Sequence, residues 1–175
     1  MSANTFLVLT VIGDDRPGLV ELLAATISGH QGNWLESSMS HLAGKFAGIV
    51  NVSVPAAQAE ELRQALTALS PLKVTVESSA PTTTAPRGRR LKLSLVGHDR
   101  IGIVREVSQV LARHAVNVEE LNTYTASAPM SAETLFHAQA ELFASADLDV
   151  HALKQALERL SNDLMVDISL DETLR

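Results

Sequence analysis

The chain has 175 residues, of which 46% are hydrophobic and 19% are charged, with a formal net charge of −6 and no cysteine. This composition is typical of a globular protein, and the lack of cysteine excludes disulfides, thiolate metal sites and cysteine nucleophiles. The negative charge and the 3% content of aromatic residues disfavour direct nucleic-acid binding. No secretion signal or run of about 18 apolar residues is visible, so we expect a cytoplasmic protein that does not enter a membrane.

The first half of the chain predicts the order β-α-β-β-α-β. Short apolar or alternating runs predict strands at residues 6–12, 34–42, 46–54 and 72–76. A helical stripe begins after Gly18 and ends near Gly29 and Gly32, and apolar residues at i, i+3, i+4 and i+7 predict a second helix at 62–69.

The second half predicts the same order. Its strands are predicted at residues 91–95, 116–127, 136–142 and 164–170, and its helices at 103–111 and 150–160. Residues between the halves lack periodicity and include two prolines. We therefore predict a first domain at 1–78, a linker at 79–89 and a second domain at 90–175. A unit of this order usually folds as an α+β, ferredoxin-like plait, with an antiparallel sheet and its helices on one face.

The chain also repeats one segment in similar form. The ten residues from Ile12 to Glu21, IGDDRPGLVE, return from Val96 to Arg105 as VGHDRIGIVR, at a constant offset of 84 positions. Asn33 and Glu36 recur as Asn117 and Glu120 at the same offset. Repetition at a fixed offset predicts two copies of one small domain.

Each repeated segment predicts a turn between a strand and a helix. Glycines at its ends permit a tight reversal, Pro17 suits the first turn of a helix, and Asp15 or Arg16 could cap that helix. The free N–H groups of a helix start can hold a small carboxylate, and a flanking aspartate could meet an ammonium, which together suit a zwitterionic amino acid. The alternative is that these residues only mark the start of a helix and bind no ligand.

A phosphate-binding loop is excluded by chemistry. Gly13 and Gly18 have the required spacing, but Leu19 stands where a lysine would reach the phosphates, and Asp14 and Asp15 would repel them. The dinucleotide-binding glycine pattern is absent, as are the common nucleophile motifs and histidine spacings for zinc. The sequence therefore predicts no cofactor, no metal site and no recognisable catalytic site.

Both copies resemble the ACT domain. The resemblance rests on DRPGLV followed by GNW in the first copy and on DRIGIV followed by AVNV in the second, each inside a β-α-β-β-α-β order. ACT domains bind small ligands, usually amino acids, at this turn, often where two domains meet. The resemblance implies candidate ligand contacts at Gly13, Asp15, Arg16, Gly18, Asn33, Gly97, His98, Asp99, Arg100, Gly102 and Asn117. His98, Asn33 and Asn117 also fit ordinary loop or turn positions.

The tandem layout resembles the glycine cleavage system transcriptional repressor family. That resemblance implies a non-enzymatic protein that responds to an amino acid, with glycine as the suggested ligand, and acts on a transcription regulator by protein contact rather than by touching DNA. The alternatives are a regulatory subunit that gives a metabolic enzyme feedback control, or a small hydrolase or transferase. Because plaits often join at their sheet edges, a homodimer is a further expectation.

Overall fold

The computed structural model of the chain describes residues 4–80, 87–129 and 133–172. The chain divides into two units, Met1–Thr84 and Ala85–Arg175. Residues 81–86 of the predicted linker lie outside the described residues, as do residues 130–132, between the strands predicted at 116–127 and 136–142.

The first unit contains four strands and two α-helices. In chain order they are β1 (Asn4–Asp14), α1 (Leu19–Gly29), β2 (Asn33–Leu42), β3 (Lys45–Pro55), α2 (Ala59–Thr67) and β4 (Lys73–Ser79). The strands form an antiparallel sheet in the order β2-β3-β1-β4.

The second unit repeats this arrangement. Its elements are β5 (Arg89–His98), α3 (Ile103–Arg113), β6 (Asn117–Ser127), β7 (Thr134–Ala144), α4 (Val150–Leu164) and β8 (Val166–Glu172). They give an antiparallel sheet in the order β6-β7-β5-β8. The predicted α+β, ferredoxin-like class with two β-α-β-β-α-β units is confirmed.

Each sheet buries one face beneath its two helices, because strand residues alternate between faces. In the first unit Leu7, Leu9 and Val11 of β1 are buried with Leu23 of α1 and Leu62 of α2.

The second unit builds its core in the same way. There Leu91, Leu93 and Leu95 of β5 are buried with Val107 of α3 and Leu153 of α4.

The duplication extends to irregular features. The pairing of β2 with β3 shifts register between Trp34 and Glu36, and the pairing of β6 with β7 shifts between Val118 and Glu120. The edge strands β2 and β6 therefore carry an irregularity at the same position of the repeat. Bulges of this kind are typically conserved features of a fold rather than defects.

Some predicted boundaries differ from the structure. Leu164 was expected in the last strand, but it ends α4, and Met165 follows in a left-handed conformation with φ of 51°. The alternation of Leu164 with Val166 concealed this helix end. Strands β4 and β5 also reach Ser79 and Arg89, the outer residues of the predicted linker. None of the helices within the described residues is long and apolar enough to cross a membrane.

Candidate functional site

The two repeated turns have the same backbone. Gly18 precedes α1 with φ of 91° and ψ of −1°, and Gly102 precedes α3 with φ of 98° and ψ of −4°. This left-handed conformation favours glycine. The helices therefore begin at Leu19 and Ile103, so the prediction that Asp15 or Arg16 caps α1 is wrong, and Pro17 lies before the cap rather than in the first helical turn.

Neither of these helices has a side-chain cap. The capping residues are Gly18 and Gly102, and a glycine has no side chain with which to bind the N–H groups of the first turn. By contrast, the Asp149 carboxylate caps α4 by accepting a hydrogen bond from the Ala152 N–H at 3.0 Å. The first N–H groups of a helix have no partner in the helical ladder. At both repeated turns these donors are consequently available to a small anion.

The aspartate of each turn is tied by its backbone to the neighbouring strand connection. The Asp15 N–H donates a hydrogen bond to the Gly44 carbonyl at 2.9 Å, and the Asp99 N–H donates to the Thr134 carbonyl at 3.0 Å. Both aspartates are exposed. The backbone is thus fixed while the two carboxylates remain free to meet a ligand.

The strand glycines of the motif pack against their own domain. A Cβ added to Gly13 would lie 2.9 Å from the Leu72 side chain and 2.9 Å from the Pro71 carbonyl. A Cβ added to Gly97 would lie 2.6 Å from the Cβ and 3.0 Å from the Cα of Val166. These glycines therefore let the chain pack closely at the last strand of each unit, just before β4 and at the start of β8. Only their backbone could be offered to a ligand.

Charged side chains surround the first turn. Asp14 pairs with Lys45, which stands directly opposite it on β3. The hydrogen bond and the charge of Lys45 hold the pKa of the Asp14 carboxyl below its usual value, and Arg16 acts in the same direction. Arg16 is exposed and makes no ion pair with a carboxylate of the described residues within 4.0 Å. Its guanidinium is therefore available to a carboxylate ligand.

The second turn has different partners. The Arg100 Nη2 donates to both carboxylate oxygens of Glu106 at 3.0 Å, so its guanidinium is already engaged. His98 occupies the place of Asp14, and its Nδ1 lies 3.5 Å from the Glu133 carboxylate. Sequence reasoning missed Lys45, Glu106 and Glu133. Lys45 and Glu133 could have been found only from the register of the strands. Glu106 could have been found from its position four residues after the capping glycine.

The predicted asparagines do not join the turn of their own domain. Asn33 faces Ser53, which faces Phe6 near the start of β1, whereas the turn follows the end of β1. At about 3.3 Å per residue, Phe6 and Gly13 are about 23 Å apart along the strand. Asn117 is placed in the same way in the second unit, opposite Phe143. A ligand at either turn therefore lies at the far end of the sheet from the asparagine of the same domain.

An apolar groove lies beside α3 in the second unit. It is lined mainly by carbon atoms of α3, β6 and the sheet, including Val104, Val118 and Leu121, which are each more than a third exposed. In the first unit the Met39 side chain, on β2, lies at the corresponding level of the sheet. It packs so closely on Gly48 of β3 that a Cβ added to Gly48 would lie 2.5 Å from the Met39 Cγ. Among the described residues no group of His, Asp and Glu side chains is placed to hold a metal ion.

Comparison with known proteins supports the duplication. A model of the ACT domain matches residues 5–77 and again residues 89–171. The structure of an unknown protein from Galdieria sulphuraria shares 31% identity, covering 98% of this chain and 100% of that chain, with a TM-score of 0.88. The structure of a candidate glycine cleavage system transcriptional repressor shares 18% identity, covering 99% of this chain and 100% of that chain, with a TM-score of 0.75. None of the curated proteins compared with the chain is significantly similar to it.

Proposed function

Because this chain belongs to the ACT domain family, whose model matches both of its halves, we propose that it is a non-enzymatic regulatory protein that binds an amino acid at its repeated turns. It passes the signal to a transcription regulator by protein contact. The observation that carries this proposal is the construction of the turns. Each combines a helix start without a side-chain cap, an arginine and an exposed aspartate.

The chemistry of the first turn suits a zwitterion. A carboxylate can accept hydrogen bonds from the first N–H groups of α1 and from the Arg16 guanidinium. The exposed Asp15 carboxylate is the natural partner of the ammonium group. Because Arg100 is engaged by Glu106, we expect the first turn to bind the amino acid more tightly than the second.

The proposed output is a change in protein contacts. The likeness in fold to a candidate glycine cleavage system transcriptional repressor, over the whole of both chains, supports a role in transcriptional control and suggests glycine as the ligand. An amino acid can regulate such a contact only if it binds the two states of the protein with different affinities. A ligand that touches both a turn and an asparagine needs residues from two domain copies, which a homodimer would supply.

Calorimetric titration with a panel of amino acids that includes glycine tests the ligand part of this proposal. We expect saturable binding that Arg16→Gln weakens by about tenfold, since a charge-assisted hydrogen bond is lost. Arg159→Gln is the matched control, because Arg159 is exposed on α4 and lies outside the repeated turns. Binding of no amino acid at millimolar concentration would contradict the proposal, as would equal effects of the two substitutions.

Affinity capture from cell extract tests the partner part. Capture of a helix-turn-helix regulator, in an amount that changes with the amino acid, is the expected result. Capture of a biosynthetic enzyme would instead favour a regulatory subunit that confers feedback control.

A further inference from the structure

The sheet face opposite the helices carries a polar cavity in the second unit. A cavity of about 270 Å³ lies there, and six polar side chains from β5, β6 and β7 line it. They are Lys92, Ser94, Glu120, Asn122, Gln139 and Glu141. All six belong to residues that alternate with the buried core positions of these strands, so they project away from α3 and α4. None of these six residues belongs to either repeated turn.

Two like charges face each other in this cavity. Glu120 on β6 pairs directly with Glu141 on β7, and like charges directly opposite in an antiparallel pair destabilise a sheet. Lys92 compensates one of them, since its Nζ lies 3.4 Å from the Glu141 Oε1. Within the described part of the chain, Glu120 receives only a neutral hydrogen bond, from the Asn122 Nδ2 at 2.7 Å. Asp171 stands opposite Lys92 on its other side, so this row of side chains has an excess of negative charge.

An aromatic pair adjoins the same cavity. Tyr124 and His137 are stacked with ring centroids 4.6 Å apart and planes within 3°. They lie two residues along β6 and β7 from Asn122 and Gln139, on the same face. Tyr124 is 56% exposed. Aromatic rings and carboxylates can each recognise an ammonium ion, but the Tyr124 ring lies four residues, about 13 Å, along β6 from Glu120.

The first unit does not share these features, although the fold is the same. The register places Val8 where the second unit has Lys92, Ile49 where it has Gln139, and Asn51 where it has Glu141. Two acidic residues do correspond, Glu36 to Glu120 and Glu77 to Asp171. The mixed-charge cavity is thus a property of the side chains of the second copy rather than of the fold.

We propose that this face of the second sheet binds a small cationic amine, with Glu120 as the main partner of its ammonium group. Glu141 and Lys92 frame the site, and Asn122, Gln139 and Ser94 offer hydrogen bonds to the rest of the molecule. The excess negative charge selects a net cation over a zwitterion such as glycine. A basic amino acid or a diamine carries the required chemistry, and a cavity of about 270 Å³ is in the range for a small molecule.

Titration of the full chain with L-lysine, with 1,4-diaminobutane and with glycine, followed by calorimetry, tests the site. We expect one or both cations to bind and glycine to leave this site empty, with affinity falling as salt is added. Glu120→Gln should weaken cation binding by about tenfold or more, as expected for a lost hydrogen bond to a charged group. L-lysine binding that Glu120→Gln weakens and Arg16→Gln does not, without diamine binding, would assign the site to a basic amino acid. Diamine binding that Glu120→Gln weakens, without such L-lysine binding, would assign it to a diamine.

The first unit supplies the control variant. Glu36→Gln makes the same change at the corresponding position of the other sheet and should alter cation binding by less than about twofold. Glu120→Gln should also leave the thermal midpoint unchanged or raised, because it removes a like-charge opposition. The proposal is overturned if neither cation binds, or if Glu120→Gln and Glu36→Gln weaken binding equally. Arg16→Gln should not affect cation binding here, so this site and the amino-acid site at the first turn can fail independently.

Discussion

The two domains share a backbone at their turns but differ in the charges around it. Gly18 and Gly102 adopt nearly the same left-handed conformation, and the aspartate that precedes each makes the same backbone hydrogen bond. Yet Arg100 is held by Glu106, whereas Leu22 stands at the corresponding position near Arg16. The duplication has therefore kept the shape of the turn and changed the electrostatics that a ligand would meet.

The largest difference that we expect between the copies concerns the glycine that ends the first strand of each sheet. Gly97→Ala would place a Cβ 2.6 Å from the Cβ and 3.0 Å from the Cα of Val166, so β8 must move away from β5. Gly13→Ala meets the flexible Leu72 side chain and one carbonyl, both at 2.9 Å. We expect Gly97→Ala to cost about 3 kcal/mol and Gly13→Ala about 1 kcal/mol of unfolding free energy.

Urea unfolding combined with hydrogen exchange measures this difference, since two domains need not unfold in one transition. Gly29→Ala is the control, because a Cβ there meets nothing within 4 Å at the end of α1, where alanine is at least neutral. If Gly97→Ala lowers the free energy of unfolding no more than Gly29→Ala does, β8 does not pack closely against Gly97.

Much of the fold was predictable because it depends on local patterns. Alternation in β5 and the helical spacing in α2 gave the correct elements, and the 84-position repeat required that both units share one topology. The left-handed glycine cap was missed at Gly18 because Asp15 and Pro17 both favour helix starts. Sequence alone gives no means of choosing among such neighbouring signals.

The candidate site was less predictable, because its partners depend on strand register. Lys45 faces Asp14 only through the pairing of β1 with β3. The separation of Asn33 from the first turn likewise follows from the parallel course of β1 and β2 on either side of β3. Spacing along the chain cannot reveal either relation, since each joins residues on different strands.

Exchanging the residue beside the arginine of each turn should make the two turns more alike in their affinity for the amino acid. Glu106→Leu gives the second turn the residue found in the first and releases Arg100, so we expect the second turn to bind the amino acid several times more tightly. Leu22→Glu should weaken binding at the first turn, because Arg16 gains an internal carboxylate partner. The loss of an exposed ion pair by Glu106→Leu should cost about 1 kcal/mol of stability or less.

Calorimetry at both turns measures this exchange. Glu77→Leu serves as the control for the change in net charge, since Glu77 on β4 faces Val8 on β1, away from the turns. Equal gains from Glu106→Leu and Glu77→Leu would mean that overall charge, rather than the release of Arg100, controls affinity.

The smallest effect that we expect concerns acid stability at the first turn. Lys45 lowers the pKa of the Asp14 carboxyl in the folded state, so the unfolded chain takes up a proton at this group more readily as the pH falls. The stabilisation is therefore fully present above the ordinary aspartate pKa of about 3.9 and is lost as the pH falls through the lower folded value. Asp14→Asn should be slightly less stable than the parent protein at pH 7 and equal to it at the most acidic pH at which both fold. Since the two side chains are 58% and 81% exposed, high salt should reduce the difference at pH 7. Thermal midpoints measured across the acid range would contradict this account of the first turn if the difference grew as the pH fell.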